Sequence, residues 1–94
     1  MKLLMLIVPT ESRDKIESAL QEESVFGYTE VPSVLGSGQT GLRLGSRAFP
    51  ETSSLILIVL QDEKVDTLIE ALKNSCPDCA GAMHAVIWGV DRML

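Results

Sequence analysis

The run Cys76-Pro77-Asp78-Cys79 is followed closely by Met83 and His84, which gathers two thiols, a thioether and an imidazole into one short stretch. Thiolates at Cys-x-x-Cys spacing in a tight turn can share a soft or borderline metal ion such as zinc or copper. A closed structural site needs four ligands, so His84, Met83 or a second subunit would have to complete the set. The same spacing suits a redox pair, whose local disulfide would stiffen the turn. It also suits no chemistry at all, as two small apolar residues in a loop. Cys76, Cys79 and His84 are therefore the candidate metal ligands, with the redox and structural roles open beside them. In a reducing compartment the pair is expected as thiols rather than as a permanent staple.

A second constellation is Gly36-Ser37-Gly38-Gln39-Thr40-Gly41. Glycines let a backbone approach an anion and turn several N–H groups toward it, so the run can cradle phosphate. Gln39 can hydrogen-bond a phosphate or orient a hydrated magnesium ion. The same composition also describes a flexible turn. Arg43 and Arg47 flank this segment and are half of the chain's arginines. They suit an anionic ligand or an acidic partner, but as loop charges they are expected to be solvated. With one histidine, no Ser-His-Asp arrangement has a second base to draw on, and the carboxylates sit mainly on polar helix faces. Cys76 with His84 would make a thiolate nucleophile, yet nothing supplies a substrate pocket. The chain reads as a protein without enzymatic activity.

These residues have to be positioned by one small fold. The 94 residues make a single domain, residues 1–94, and 46% apolar content makes it globular. Thirteen acidic against eight basic side chains give a net charge of −5, which argues against nucleic-acid binding. The longest apolar run, Leu3 to Val8, is far short of the ~18 residues that span a membrane, and it lacks the form of a signal peptide. A cytoplasmic location is expected.

Lys2 to Val8 is apolar and partly β-branched and is stopped by Pro9, the pattern of a strand buried on both faces. Thr10 is placed to cap a helix of roughly 13 residues whose buried stripe is Ile16, Ala19 and Leu20. Tyr28 to Leu35 reads as a second strand. Pro32 makes it an edge strand or gives it a bulge. Gly36 to Ser54 reads as a loop or a ragged hairpin. Leu55 to Leu60 is a third strand, apolar throughout, and Asp62 is placed to cap a second helix buried through Val65, Leu68, Ile69 and Leu72. Pro77 forbids its continuation, and His84 to Trp88 is the fourth strand.

The order βαββαβ is that of a ferredoxin-like α+β sandwich, four antiparallel strands with two helices on one face. Two helices cover one side of the sheet only, yet the first and third strands are apolar without alternation. The second face must therefore meet another copy of the chain, since a soluble monomer does not tolerate so large an apolar patch.

In this order the sequence resembles the PII signalling family of trimeric nitrogen and energy sensors. The resemblance rests on the Met-Lys start and apolar strand to Pro9, on Gly27-Tyr28-Thr29-Glu30-Val31, and on Gly36 to Gly41, which is similar to the base of the PII T-loop. The strand from Leu55 to Leu60, its helix and a glycine-bearing turn complete it. It implies a homotrimer that binds a small effector, such as an adenine nucleotide, in clefts between subunits. Thr29, Gly36, Gly38, Gln39 and Gly81 match the effector-binding positions. It also implies control of a partner protein, such as a transporter, through the 41–54 loop. The chain departs from the pattern in three ways. About 13 residues separate Gly41 from the third strand, with no tyrosine for uridylylation; the turn around Gly81 has no lysine; and the C-terminal arginine pair is reduced to Arg92. The closer likeness is to short PII-like proteins. Two other readings stay beside it, a metal-binding or metal-responsive trimer using Cys76, Cys79 and His84, and an interaction module with no small ligand.

Overall fold

The computed structural model describes residues 1–38, 41–79 and 81–94. Strand β1 (Lys2–Pro9) leads through a 3₁₀ turn (Thr10–Ser12) into helix α1 (Arg13–Glu22). Strand β2 (Thr29–Val34) follows, then the short strands β3 (Gly36–Gly38) and β4 (Gly41–Arg43). Strand β5 (Ser53–Leu60), helix α2 (Asp62–Ser75), a 3₁₀ turn (Pro77–Cys79) and strand β6 (His84–Gly89) complete the described chain. The main sheet has the order β2-β5-β1-β6 with every pairing antiparallel, and β3 and β4 form a separate small ribbon. This is the ferredoxin-like sandwich that the sequence predicts.

Side chains alternate across a strand, so burial assigns each face directly. Leu4, Leu6 and Val8 of β1 and Ile56 and Ile58 of β5 are fully buried and pack with Ile16 and Leu20 of α1 and Leu68 and Leu72 of α2. The alternate residues pair across the strands as Leu3 with Val59, Met5 with Leu57 and Ile7 with Leu55. On the other side of β1 the same three residues pair with Trp88, Val86 and His84. These residues share the face that no helix covers. Its apolar side chains are partly open to solvent, with Trp88 45% and Val86 44% exposed. The fully apolar central strands thus sit in a sheet covered on one side only.

Local chemistry departs from the sequence reading at both helix starts. Thr10 makes no capping bond; its Oγ1 instead shares a 2.8 Å hydrogen bond with Thr52 Oγ1, and Ser12 precedes α1. Asp62 is the first residue of α2 rather than its cap, and its carboxylate pairs with the Met1 amine at 2.7 Å. That amine holds the Asp62 carboxyl below the usual range. In both cases a tertiary partner takes the oxygen that a local cap would have used. Pro32 acts as expected: β2 is an edge strand, and its register on β5 shifts between Val31 and Val34, with Ser33 in the left-handed region at φ 57°.

Arg13 fastens the start of α1 to β2. Its Nε donates to both carboxylate oxygens of Glu30, at 3.0 and 2.9 Å, its Nη2 donates to Glu30 Oε1 at 2.8 Å, and its Nη1 bonds Glu17. The bonds from Arg13, helped by a hydrogen bond from the buried Ser54, hold the Glu30 carboxyl below its ordinary value. A lowered carboxylate contributes stability that is present above its unfolded value and is lost as pH falls through the folded one. Denaturant unfolding at pH 7 and at pH 3 is expected to show a smaller acid-induced loss for Glu30→Gln than for the wild type. An equal loss in both would show that the pair does not anchor β2.

Candidate functional site

A cavity of about 160 Å³ opens where four segments meet. The β3–β4 ribbon contributes Gly36, Ser37, Gly38, Gly41 and Arg43; β5 contributes Ser53, β1 contributes Ile7, and the entry to β6 contributes Ala82 and His84. The ribbon pairs Gly36 with Arg43, Ser37 with Leu42 and Gly38 with Gly41. Gly41 has φ 105°, a conformation that side chains disfavour, so glycine is needed where the ribbon turns back. The antiparallel pairing of β1 with β6 sets His84 opposite Ile7 and so at the mouth of the same cavity.

Two predicted effector contacts, Gly36 and Gly38, therefore share a wall with the predicted metal candidate His84. Gly81 lies in the exposed turn just before Ala82, outside the wall. Thr29 lies on β2 opposite Leu57, on the uncovered face and also outside the wall. Gln39 falls outside the described residues. A separate groove of about 300 Å³ at the opposite end of β5, lined by Glu23, Lys64, Thr67 and Leu68 among others, contains none of the predicted residues.

Arg43 corrects an expectation. It is not a solvated loop charge: its side chain is 15% exposed, Nη1 donates to the Thr52 carbonyl at 3.1 Å, and Nη2 lies 3.4 Å from Glu11 Oε1. The Thr52 carbonyl also accepts the Thr10 N–H at 3.1 Å, so one backbone oxygen ties together the end of β1, β4 and the entry to β5. Arg47, by contrast, is exposed. Of the two readings of residues 36–54, a loop or a ragged hairpin, the β3–β4 pairing fits the hairpin. Gly41–Arg43 is strand, β5 begins at Ser53, and the intervening turn is bonded from Leu44 and Ser46 N–H to the Phe49 carbonyl and from Gly45 N–H to the Glu51 carbonyl. Gly45 has φ 61°, and a Cβ there would meet Thr52 Cγ2 at 3.2 Å, so this tethered turn also requires glycine.

The cysteines are not thiols. Cys76 and Cys79 form a disulfide across the 3₁₀ turn, which brings their Cα atoms to 5.4 Å, within bridging range. Both are buried. As a disulfide they offer no thiolate to a metal, and among the described residues no group of three or more His, Cys, Asp or Glu is placed to hold one. His84 is exposed on the open sheet face rather than built into a cysteine cluster. The Cys79 carbonyl accepts N–H groups from Ala82 and Met83, both at 2.9 Å, so the bridged turn sets the path of the chain into the cavity wall.

The sequence reading names Arg43 as suited to an anionic ligand but expects it solvated, and it groups His84 with the cysteines, whereas the structure puts both in one cavity wall. A signal for the first existed in the arginine's position two residues after the glycine run. For the second, the β1–β6 register is the information needed.

Comparison with known proteins agrees with this fold. The profile of the family described as nitrogen regulatory protein P-II matches residues 1–88. A GlnB-like protein 1 of the nitrogen fixation nifHD region from Methanothermococcus thermolithotrophicus is 29% identical over 76 residues, covering 80% of this chain and 72% of the relative. Among solved structures, CPII, a nitrogen regulatory PII-like protein from Thiomonas intermedia K12 bound to ADP, AMP and bicarbonate, superposes with a TM-score of 0.72. It is 22% identical, and the match covers 97% of this chain and 88% of that one. No helix among the described residues is long and apolar enough to cross a membrane.

The disulfide closes a very short loop, and the chain-entropy account gives it about 2 kcal/mol. Unfolding in the presence of dithiothreitol is expected to be easier by that order for the wild type and unchanged for Cys76→Ala/Cys79→Ala. Equal stability of the wild type with and without reductant would remove the bridge from the account of this turn.

Proposed function

The chain belongs to the nitrogen regulatory protein P-II family, and on that premise we propose that it is a non-enzymatic, cytoplasmic regulator that assembles as a trimer. It takes a small effector of the adenine-nucleotide class into the clefts between subunits and controls a partner protein through residues 41–54. The observation that carries this reading is the position of the cavity. Two of its wall residues, Ile7 and His84, stand on the uncovered sheet face. A copy packed on that face borders the cavity and turns an open notch into a cleft. Thr29 lies on the same face, where a neighbour would reach it. Gly36, Gly38, Gln39 and Gly81 remain the proposed backbone and amide contacts.

Adenine nucleotides are the first effectors to test, because the structural relative CPII is bound to ADP and AMP. The regulatory mechanism follows from the ribbon and its turn. The same hairpin that walls the cavity continues into the 44–52 turn through Arg43 and Thr52. An effector with higher affinity for one arrangement of that turn shifts its population, and a partner that contacts the turn reads the shift.

Thermal unfolding with ATP, ADP, AMP, Zn²⁺ or Cu⁺ in excess tests the reading. A ligand at ~100 times its Kd adds about 2.7 kcal/mol to the folded state. A nucleotide shift is expected. A shift by metal alone, abolished in Cys76→Ser/Cys79→Ser, would replace this reading with the metal-responsive one. Leu57→Asp, which puts a charge at the centre of the open face, is expected to convert the trimer to monomer by light scattering. A wild-type protein that is already monomeric would overturn the cleft.

A further inference from the structure

An effector with a phosphate or similar oxyanion must find positive charge on a chain whose net charge is −5. The turn after Cys79, where the family resemblance leads one to expect a lysine, has none. The cavity of about 160 Å³ is also smaller than the roughly 300 Å³ at which sites for whole drug-sized ligands begin. It fits one end of such a ligand, and its wall shows which end.

Among the described residues Arg43 is the only one with a permanent charge in that wall, and His84 is the chain's only histidine. Glycine and serine supply most of the rest of it. The space on the other side of Arg43 is of the opposite character, because Glu11, Glu51 and Phe49 line it along with Gly41, Leu42 and Arg43. Two carboxylates there repel an anion, so the oxyanion belongs on the His84 side. Arg43 is held in advance by the Thr52 carbonyl, which reduces the ordering cost of using it. A guanidinium has five N–H donors, and the contacts to Thr52 and Glu11 engage two of its nitrogens, one apiece. An imidazole donates an N–H in either protonation state.

We propose that Arg43 and His84 are the specificity-determining pair of this site and read the oxyanion end of the effector. They supply by a different route the charge that the lysine-free turn lacks. The inference rests on the effector-site reading above and deepens it. Charge-assisted hydrogen bonds are the strong class, and a guanidinium pairs with a phosphate through two of them.

The test is calorimetric titration of AMP, adenosine and inorganic phosphate into the wild type, Arg43→Gln, Arg43→Lys, His84→Gln and the exposed-arginine control Arg47→Gln. The readout is the preference for AMP over adenosine, which a merely structural role would not move. Arg43→Gln is expected to reduce that preference by about tenfold or more, with partial recovery in Arg43→Lys. His84→Gln is expected to reduce it less, and Arg47→Gln not at all. His84 is exposed, so its variant folds even if loss of the Thr52 contact disturbs Arg43→Gln. Competition of inorganic phosphate with AMP supports the pair as a reader of the oxyanion itself. An unchanged AMP preference in both Gln variants overturns the pair and leaves the effector site standing. Arg43-dependent phosphate binding without any nucleotide binding supports the pair and overturns the nucleotide reading. A wild type that binds neither AMP nor phosphate overturns both.

Discussion

The structure depends on an imbalance of cover. Two helices bury one face of a four-stranded sheet, while its two central strands are apolar on both. The hydrophobic effect is satisfied on the helix side by Leu4, Leu6, Ile56 and Ile58 and left unsatisfied on the other by Leu3, Met5, Leu57 and Val59. That second face carries the candidate cavity at its rim. Trp88 and Val86 extend it on β6, Val31 extends it on β2, and the cavity opens at the corner where Ile7 meets His84.

That geometry gives the glycine ribbon its place. β3 and β4 belong to no large sheet and bury little of their own. Their position comes from Arg43, whose guanidinium reaches the Thr52 carbonyl, and from the Thr10 contacts to the same residue. A polar clasp therefore stands in for a hydrophobic core at the site end of the molecule. Such a clasp holds a segment in place at a lower cost of rearrangement than packed side chains would impose.

The fold was legible because its strongest signals are unambiguous. Lys2 to Val8 and Leu55 to Leu60 are apolar at nearly every position, and Pro32 at an edge leaves few alternatives. Thr10 and Asp62 misled for a common reason: each has an oxygen suited to capping, and each found a partner distant in sequence, Thr52 and the Met1 amine. The site was half legible. Gly36 and Gly38 stood out by their type and by family resemblance, whereas the meeting of Arg43 with His84 depends on two strand registers that local pattern does not encode. Cys76 and Cys79 were visible as a pair, but that the 3₁₀ turn brings them within bridging range is a matter of backbone path that the spacing alone does not give.

The bulge at Pro32 has a bearing on how copies can add to one another. A sheet with two bare edges can extend without limit if the first strand of one copy pairs with the last strand of the next. Here one terminal strand, β2, is broken by a proline with no N–H to give and by a register shift beside Ser33. Head-to-tail joining of β2 to β6 is thereby disfavoured. A head-to-tail contact gives a ring when its rotation closes and a filament when it does not, and pairing between bare strand edges is a common route to the filament. The residue that spoils one strand is thus a guard against open-ended strand pairing.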